Sequence, residues 1–217
     1  METMQPTEAS GLVVRATGSW YEVASGGRTL RCRIRGRLRL KGIRSTNPVV
    51  VGDVVRFEEG EEGEGSIFAV EPRRNYIIRR ASNLSKESHI IAANVDQALL
   101  LVTLSEPVTA PEFVDRFLVT CEAYKVPVTL VLAKRDLQSD EAVAAFRAVY
   151  EAAGYPVLEV AALEGRGVEE VRALLAGRTT LFSGNSGVGK STLVQAIDPS
   201  LDIRTGEISE SHHKGRH

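Results

Sequence analysis

The period of the hydrophobic pattern changes near residue 80. Before that point, short runs alternate apolar and polar residues and are broken by glycine. After it, continuous apolar runs alternate with segments whose apolar residues recur every three or four positions. In the first part, residues 11–16, 20–24, 49–57 and 65–70 read as strands, with Ser25-Gly26-Gly27 as a turn. The longest alternation covers residues 28–41. From Leu30 to Leu40 the even positions are apolar or glycine. The odd positions from Arg31 to Arg39 are all arginine, and Lys41 follows. Successive side chains of a strand take opposite faces, so one face of this strand enters a core and the other carries a row of cations. Five or so strands at this spacing predict a small all-β barrel over residues 11–80, behind a flexible tail of residues 1–10. Trp20 is expected in its core rather than as a base-stacking platform. Residues 58–65, rich in Glu and Gly, are expected as a solvated hairpin tip. The basic stretches 72–75 and 79–83 are expected as a junction, with the domain boundary there.

The second part, residues 81–217, reads as α/β. Residues 95–104, 126–132 and 156–160 are nearly continuous apolar strands, as in a sheet covered on both faces. Thr109-Ala110-Pro111 opens a helix with proline in its first turn, and Phe113, Phe117, Cys121 and Tyr124 share one face of it. Ser139 caps a second helix, with Val143, Phe146 and Tyr150 on one side and Gly154 at its end. Residues 167–175 form a short helix, 179–183 a strand, and 193–197 a further helix. This alternation predicts a largely parallel sheet with right-handed crossovers.

Composition adds limits rather than identity. The chain has 217 residues, 43% hydrophobic and 25% charged, with net charge −1. That is a soluble globular composition, long enough for two small domains. No apolar run reaches the length of a membrane span and the N-terminus lacks a signal-peptide core, so the cytoplasm, and no membrane partner, is the expectation. Cys32 and Cys121 sit in apolar patterns and read as buried free thiols, with no C-x-x-C metal spacing. A monomer is expected.

The stretch Gly184-Asn185-Ser186-Gly187-Val188-Gly189-Lys190-Ser191-Thr192 fits the G-x-x-x-x-G-K-[ST] phosphate loop at every fixed position. It lies between a predicted strand and a predicted helix. Glycines let consecutive N–H groups turn inward, and the helix start adds its positive dipole end. Lys190 is expected at the β- and γ-phosphates, as the one assignable catalytic cation, and the Ser191 hydroxyl on Mg²⁺. Two further segments follow predicted strands: Ala133-Lys134-Arg135-Asp136, and Ala161-Ala162-Leu163. They resemble the guanine-reading [NT]-K-x-D and S-A-x segments of GTPases. Guanine N1–H and N2–H₂ are adjacent donors, and the Asp136 carboxylate offers two adjacent acceptors. Adenine presents a lone pair instead, so such a site discriminates by a factor on the order of 10⁴. The Lys134 stem is expected along the base face, and the Ala162 N–H at the guanine O6. Ala133 and Ala161 depart from the usual Asn or Thr and the usual Ser, which removes buttressing hydrogen bonds. The arginine row, Arg31, Arg33, Arg35, Arg37 and Arg39 with Lys41, suits phosphate through arginine's planar fork and points to RNA.

In an ordinary GTPase the phosphate loop precedes the base-reading segments. Here Asp136 precedes Gly184. A circular permutation preserves such a site, because joining old ends and cutting new ones leaves the sheet intact. A permuted GTPase behind an arginine-faced β-barrel resembles the ribosome small-subunit-dependent GTPase A family. Residues 91–97 match the entry to that family's G domain, and Gly206-Glu207-Ile208-Ser209 followed by Gly215-Arg216-His217 resembles its first switch. The resemblance implies an OB-fold barrel, binding of GTP and GDP, hydrolysis stimulated by the 30S subunit, contact with 16S rRNA, and a role in late small-subunit maturation. It also suggests His217, a catalytic candidate, near the γ-phosphate; His212, His213 and His217 could suggest a metal, but a mobile switch or a solvated tail is the plainer reading. The family continues with a switch threonine run, a D-x-P-G segment and a Cys/His zinc domain. None of these is in the 217 residues, so the natural protein is expected to be longer, with zinc only in that further domain. Weak or absent turnover is expected of these residues alone. Two other readings stay open: a nucleotide-gated rRNA-binding module without significant hydrolysis, and an ATP-using phosphate-loop enzyme.

Overall fold

The computed structural model describes residues 7–36, 48–60, 63–80 and 88–201. Arg37, Arg39, Lys41 and the histidines from His212 to His217 lie outside the described residues. The chain forms two compact units that divide between Val95 and Asp96.

In the first unit, strands β1 (Thr7–Thr17), β2 (Trp20–Ser25), β3 (Arg28–Ile34), β4 (Val54–Glu59) and β5 (Glu64–Val70) close a barrel in the order β1-β2-β3-β5-β4. Period-two alternation builds its core. Val13, Tyr21, Val23, Leu30, Cys32, Val55, Phe57 and Ile67 point inward and are buried. Several expectations change. Residues 7–10 are not a tail: Thr7 pairs with Glu59 and Ser10 with Arg56, which closes the barrel. The apolar run 49–57 is not one strand. Asp53, fully buried, accepts the Val50 N–H at 2.8 Å and holds a turn, so β4 starts only at Val54. Trp20 is not in the core. Tyr21 and Val23 take the inward positions, so Trp20 and Glu22 fall on the outer face. Glu58 and Glu59 belong to β4 and pair with Arg35 and Arg28, instead of forming part of a solvated tip.

Strands β6 (Tyr76–Arg80) and β7 (Ser88–Ala93) form an antiparallel hairpin in the same unit. Ile90 and Ala93 pack with Val50. The stretch before the hairpin is no loose basic junction. Arg73, 5% exposed, donates two hydrogen bonds of 2.7 Å to the fully buried Asp53 carboxylate, and a third to the Pro48 carbonyl. Asn75 is bonded to both backbone groups of Val95. The compact unit therefore runs to Val95, whereas the change of sequence pattern falls near residue 80.

The second unit is a parallel four-stranded sheet in the order β10-β9-β8-β11, from β8 (Gln97–Val102), β9 (Val128–Leu132), β10 (Val157–Glu159) and β11 (Thr180–Ser183). All six residues of β8 are buried. Leu99, Leu101 and Val131 pack with Val168 and Val171 of helix α3 (Val168–Leu175) and Leu193 of helix α4 (Lys190–Ile197). Helices α1 (Pro111–Ala123), with proline at its start, and α2 (Asp140–Ala152) bury Val114, Leu118, Cys121, Val143 and Tyr150. Ser139 caps α2, accepting the Ala142 N–H at 3.2 Å. Both cysteines are buried and unpaired.

Candidate functional site

Parallel strands bring the loops that follow them to one edge of the sheet. The loop after β9 carries residues 133–136, the loop after β10 carries residues 161–163, and the loop after β11 carries residues 184–189. Only β8 separates β9 from β11, so their carboxyl ends lie about 10 Å apart, within the span of one nucleoside triphosphate. The three segments also share packing. Ala133, Val160 and the phosphate-loop residue Val188 are buried in one hydrophobic cluster, and Ala162 packs against it. The turn Ala162–Glu164 touches α4, the helix that the phosphate loop opens.

The phosphate loop has a shape that glycine permits. Gly184 has φ 144°, and a Cβ there would lie 2.6 Å from the Leu101 carbonyl oxygen. Gly187 and Gly189 also have positive φ, and Gly189 sits immediately before α4. Among the described residues, no N–H from Asn185 to Gly187 has a backbone carbonyl partner. These donors and the helix start are suited to an anion. The Lys190 ammonium is folded over the loop, donating to the Gly184 and Asn185 carbonyls at 2.8 and 2.7 Å. Desolvation by burial lowers its pKa. That cost is relieved when a phosphate supplies negative charge beside it. Ser191 and Thr192 begin α4, half-buried.

The candidate base-reading loop is held more firmly than its sequence suggests. Ala133 is buried, and its carbonyl accepts from the buried Gln138 amide. Lys134 takes a left-handed conformation, φ 54°, and its ammonium donates to the Glu106 carbonyl at 2.8 Å. Asp136 lies exposed in the short 3-10 turn Arg135–Leu137. Between them, Arg135 points elsewhere and ties the loop down. Its guanidinium bonds Glu159 at the end of β10 at 2.7 Å, Asp140 at the start of α2, and the Gln138 carbonyl at 2.9 Å. Its own N–H donates to the Val160 carbonyl at 3.0 Å. The hydrogen bonds Arg135 donates to Asp140 and Glu159 raise its pKa, and the bond from Arg135, with a second from Arg147, lowers that of Glu159. Reading the motif from sequence leaves Arg135 as a spacer; its signal is an arginine three residues beyond a strand beside a strand that ends in glutamate. Leu163 is 88% exposed and joins no cluster.

On the barrel, Arg31, Arg33 and Arg35 are exposed, opposite the buried Leu30 and Cys32, as the alternation predicts. They do not form a uniform row. Arg28 and Arg35 are ion-paired to Glu59 and Glu58, while the guanidinium carbons of Arg31 and Arg33 lie 4.2 and 3.6 Å from the Trp20 ring centroid.

Comparison with known proteins gives a consistent set of relatives. Residues 70–217 match the family model described as RsgA GTPase, and residues 10–67 match that of the RsgA N-terminal domain. A protein of Phocaeicola vulgatus called small ribosomal subunit biogenesis GTPase RsgA is 53% identical over 211 residues, covering 95% of this chain and 68% of the relative. A Bacteroides fragilis protein of the same name is 51% identical over the same shares. Among solved structures, YjeQ from Thermotoga maritima is 32% identical with a TM-score of 0.71, covering 92% of this chain and 68% of that one. YloQ, described as a circularly permuted GTPase, is 29% identical with a TM-score of 0.65, covering 89% and 65%.

Proposed function

Because this chain belongs to the RsgA GTPase family, a family of small-ribosomal-subunit biogenesis factors, we propose that it binds GTP along the carboxyl edge of β8–β11 and hydrolyses it to GDP and phosphate while serving maturation of the 30S subunit. The observation that carries the reading is the strand order β10-β9-β8-β11, which sets the loops of Lys134, Ala162 and Lys190 on one edge although the chain reaches them in permuted order.

In this reading the Asp136 carboxylate accepts the guanine N1–H and N2–H₂, the Lys134 stem lines the base, and the Ala162 N–H meets O6. Ala133, Ala161 and Leu163 complete those loops. The N–H groups of residues 184–189, with Lys190 and Thr192, hold the phosphates. Phosphoryl transfer is mainly positioning and charge stabilisation, so Lys190, desolvated but charged, is the chain's largest contribution. Ser191 is the residue that would hold Mg²⁺, which would supply positive charge to offset that of the phosphates. His217 is proposed near the γ-phosphate from its place in the sequence alone. With no water-positioning glutamine assigned, hydrolysis is slow until the small subunit stimulates it. The barrel is the RNA-binding domain, with Arg31, Arg33, Arg35, Arg37, Arg39 and Lys41 directed at 16S rRNA. The protein acts as a cytoplasmic monomer, and zinc belongs to the family's further domain.

The test compares GTP with ATP in binding, and measures hydrolysis by the full-length protein with and without isolated small subunits. GTP is expected to bind at least a hundredfold more tightly than ATP, and hydrolysis to rise when subunits are added. Equal affinity for ATP overturns the guanine reading, and binding without any subunit-dependent turnover favours the nucleotide-gated RNA module.

A further inference from the structure

We infer that the outer face of β1–β3 holds a stacking site for an unpaired nucleobase of single-stranded RNA, with the Trp20 indole as its platform and Arg31 and Arg33 as partners for the flanking phosphates. The inference rests on reading this face as RNA-directed, and adds to it a contact with the base itself.

The placement follows from strand alternation. Tyr21 and Val23 enter the core, which puts the only tryptophan of the chain outside it. The β1–β2 ladder pairs Thr17 with Trp20 and Arg15 with Glu22, and the β2–β3 ladder pairs Glu22 with Arg31. Two adjacent rows across three strands therefore bring one indole, several arginines and one carboxylate together. They line a cavity of about 410 Å³ bounded by Arg15, Thr17, Trp20, Tyr21, Glu22 and Arg31. That volume falls in the range of small-ligand sites.

Charge on this face is unevenly compensated. Arg28 and Arg35 are paired to glutamates of β4. Among the described residues, neither Arg31 nor Arg33 has a carboxylate partner; both lie against the Trp20 ring. Two guanidinium groups on one ring are less than about 10 Å apart, closer than a Debye length, and they reinforce each other's field. An exposed cation–π contact is weaker than a base stacked on an indole with its phosphate bonded to arginine. A ring-held arginine is therefore readily drawn off to a phosphate, which leaves the indole for the base.

The remaining group selects the occupant. Glu22 is bonded to Arg15 at 3.4 Å, a long contact between exposed side chains. A nucleobase with an exocyclic amine can donate to that carboxylate. An acidic peptide would use the arginines but gain nothing from the indole face.

The single tryptophan makes the site directly observable in the whole 217-residue chain. Emission is followed during titration with a short single-stranded oligoadenylate RNA, and with an abasic oligomer carrying the same number of phosphates. Affinity is measured separately with end-labelled RNA. Quenching by oligoadenylate but not by the abasic oligomer is expected. Trp20→Ala should weaken RNA binding about tenfold, and Trp20→Phe by no more than about threefold, with unchanged circular dichroism. If Trp20→Ala binds RNA as the parent does, while Arg31→Glu and Arg33→Glu lose binding, the base site is wrong and the RNA-directed face stands. If the Glu variants also bind as the parent does, both fall. Quenching by a polyglutamate peptide as strong as that by RNA overturns the proposal in favour of an acidic polypeptide.

Discussion

The barrel and the α/β unit present their chemistry in different ways. On the barrel, the candidate groups are side chains on the outer face of a strand, set by an alternation that also fills the core with Leu30 and Cys32. In the α/β unit, they lie on loops after buried strands, and several are features of the backbone: the N–H groups of residues 184–189, a left-handed Lys134, and a glycine with no room for a Cβ. A strand face can change one charge at a time without disturbing the fold. A loop assembled from three strand ends cannot, because its groups work only while the strands stay in register. Substitutions in the second unit should therefore act sharply on one nucleotide, and substitutions on the barrel face should act gradually.

The largest effect is expected at Lys190. Lys190→Ala should lower affinity for GTP by roughly a hundredfold or more while leaving the unfolding midpoint unchanged, as measured by calorimetric titration with GTP. Within the barrel, the corresponding extreme is structural. Arg73→Met leaves Asp53 charged and fully buried without its cation, and should cost about 3–5 kcal/mol in urea unfolding of the first unit. A loss below about 1 kcal/mol would contradict a structural role for the pair. Arg135→Ala comes next. Freeing the loop from Glu159 and Asp140 should weaken guanine nucleotides about tenfold with little change for ATP; an equal loss for both would show that the effect is general unfolding.

A smaller effect concerns acid. The Arg135 and Arg147 hydrogen bonds hold the Glu159 carboxyl below its ordinary value of 4.5. A carboxylate with a lowered folded pKa contributes stability that is full above its unfolded pKa and is lost as pH falls through the folded one. Unfolding midpoints measured downward from about pH 5 should therefore fall less for Glu159→Gln than for the parent chain. The smallest effect is on the thiols. Burial pushes Cys32 to about 11 and Cys121 to about 12, so both should resist a thiol reagent at pH 7 until the chain is unfolded.

Much of this was legible in the residues, and the rest was hidden for identifiable reasons. The turn between β11 and α4, the buried strands of the sheet, the Ser139 cap and the outward face of β3 follow from local pattern, and the structure has each where the pattern predicts it. What was missed depends on distant partners. Residues 72–75 read as a basic junction because Asp53, the partner of Arg73, lies twenty positions away. The run Val49-Val50-Val51 has strand composition but turns, because Asp53 captures the Val50 N–H. Trp20 and Tyr21 are both aromatic and adjacent, so hydrophobicity alone could not say which faces in; the phase set by Val23 does. Arg135 occupies the variable position of its motif, and only the end of β10 reveals its use.

The central claim is that the carboxylate of Asp136 reads the base whose phosphates lie on the loop of Lys190. The most direct measurement is the affinity of Asp136→Asn for xanthosine and guanosine diphosphates. An asparagine amide donates where guanine also donates, and matches the carbonyl at position 2 of xanthine. The variant should lose guanosine diphosphate and gain xanthosine diphosphate, reversing the preference of the parent. A variant that still prefers guanosine diphosphate, with the affinity of the parent, would contradict that claim.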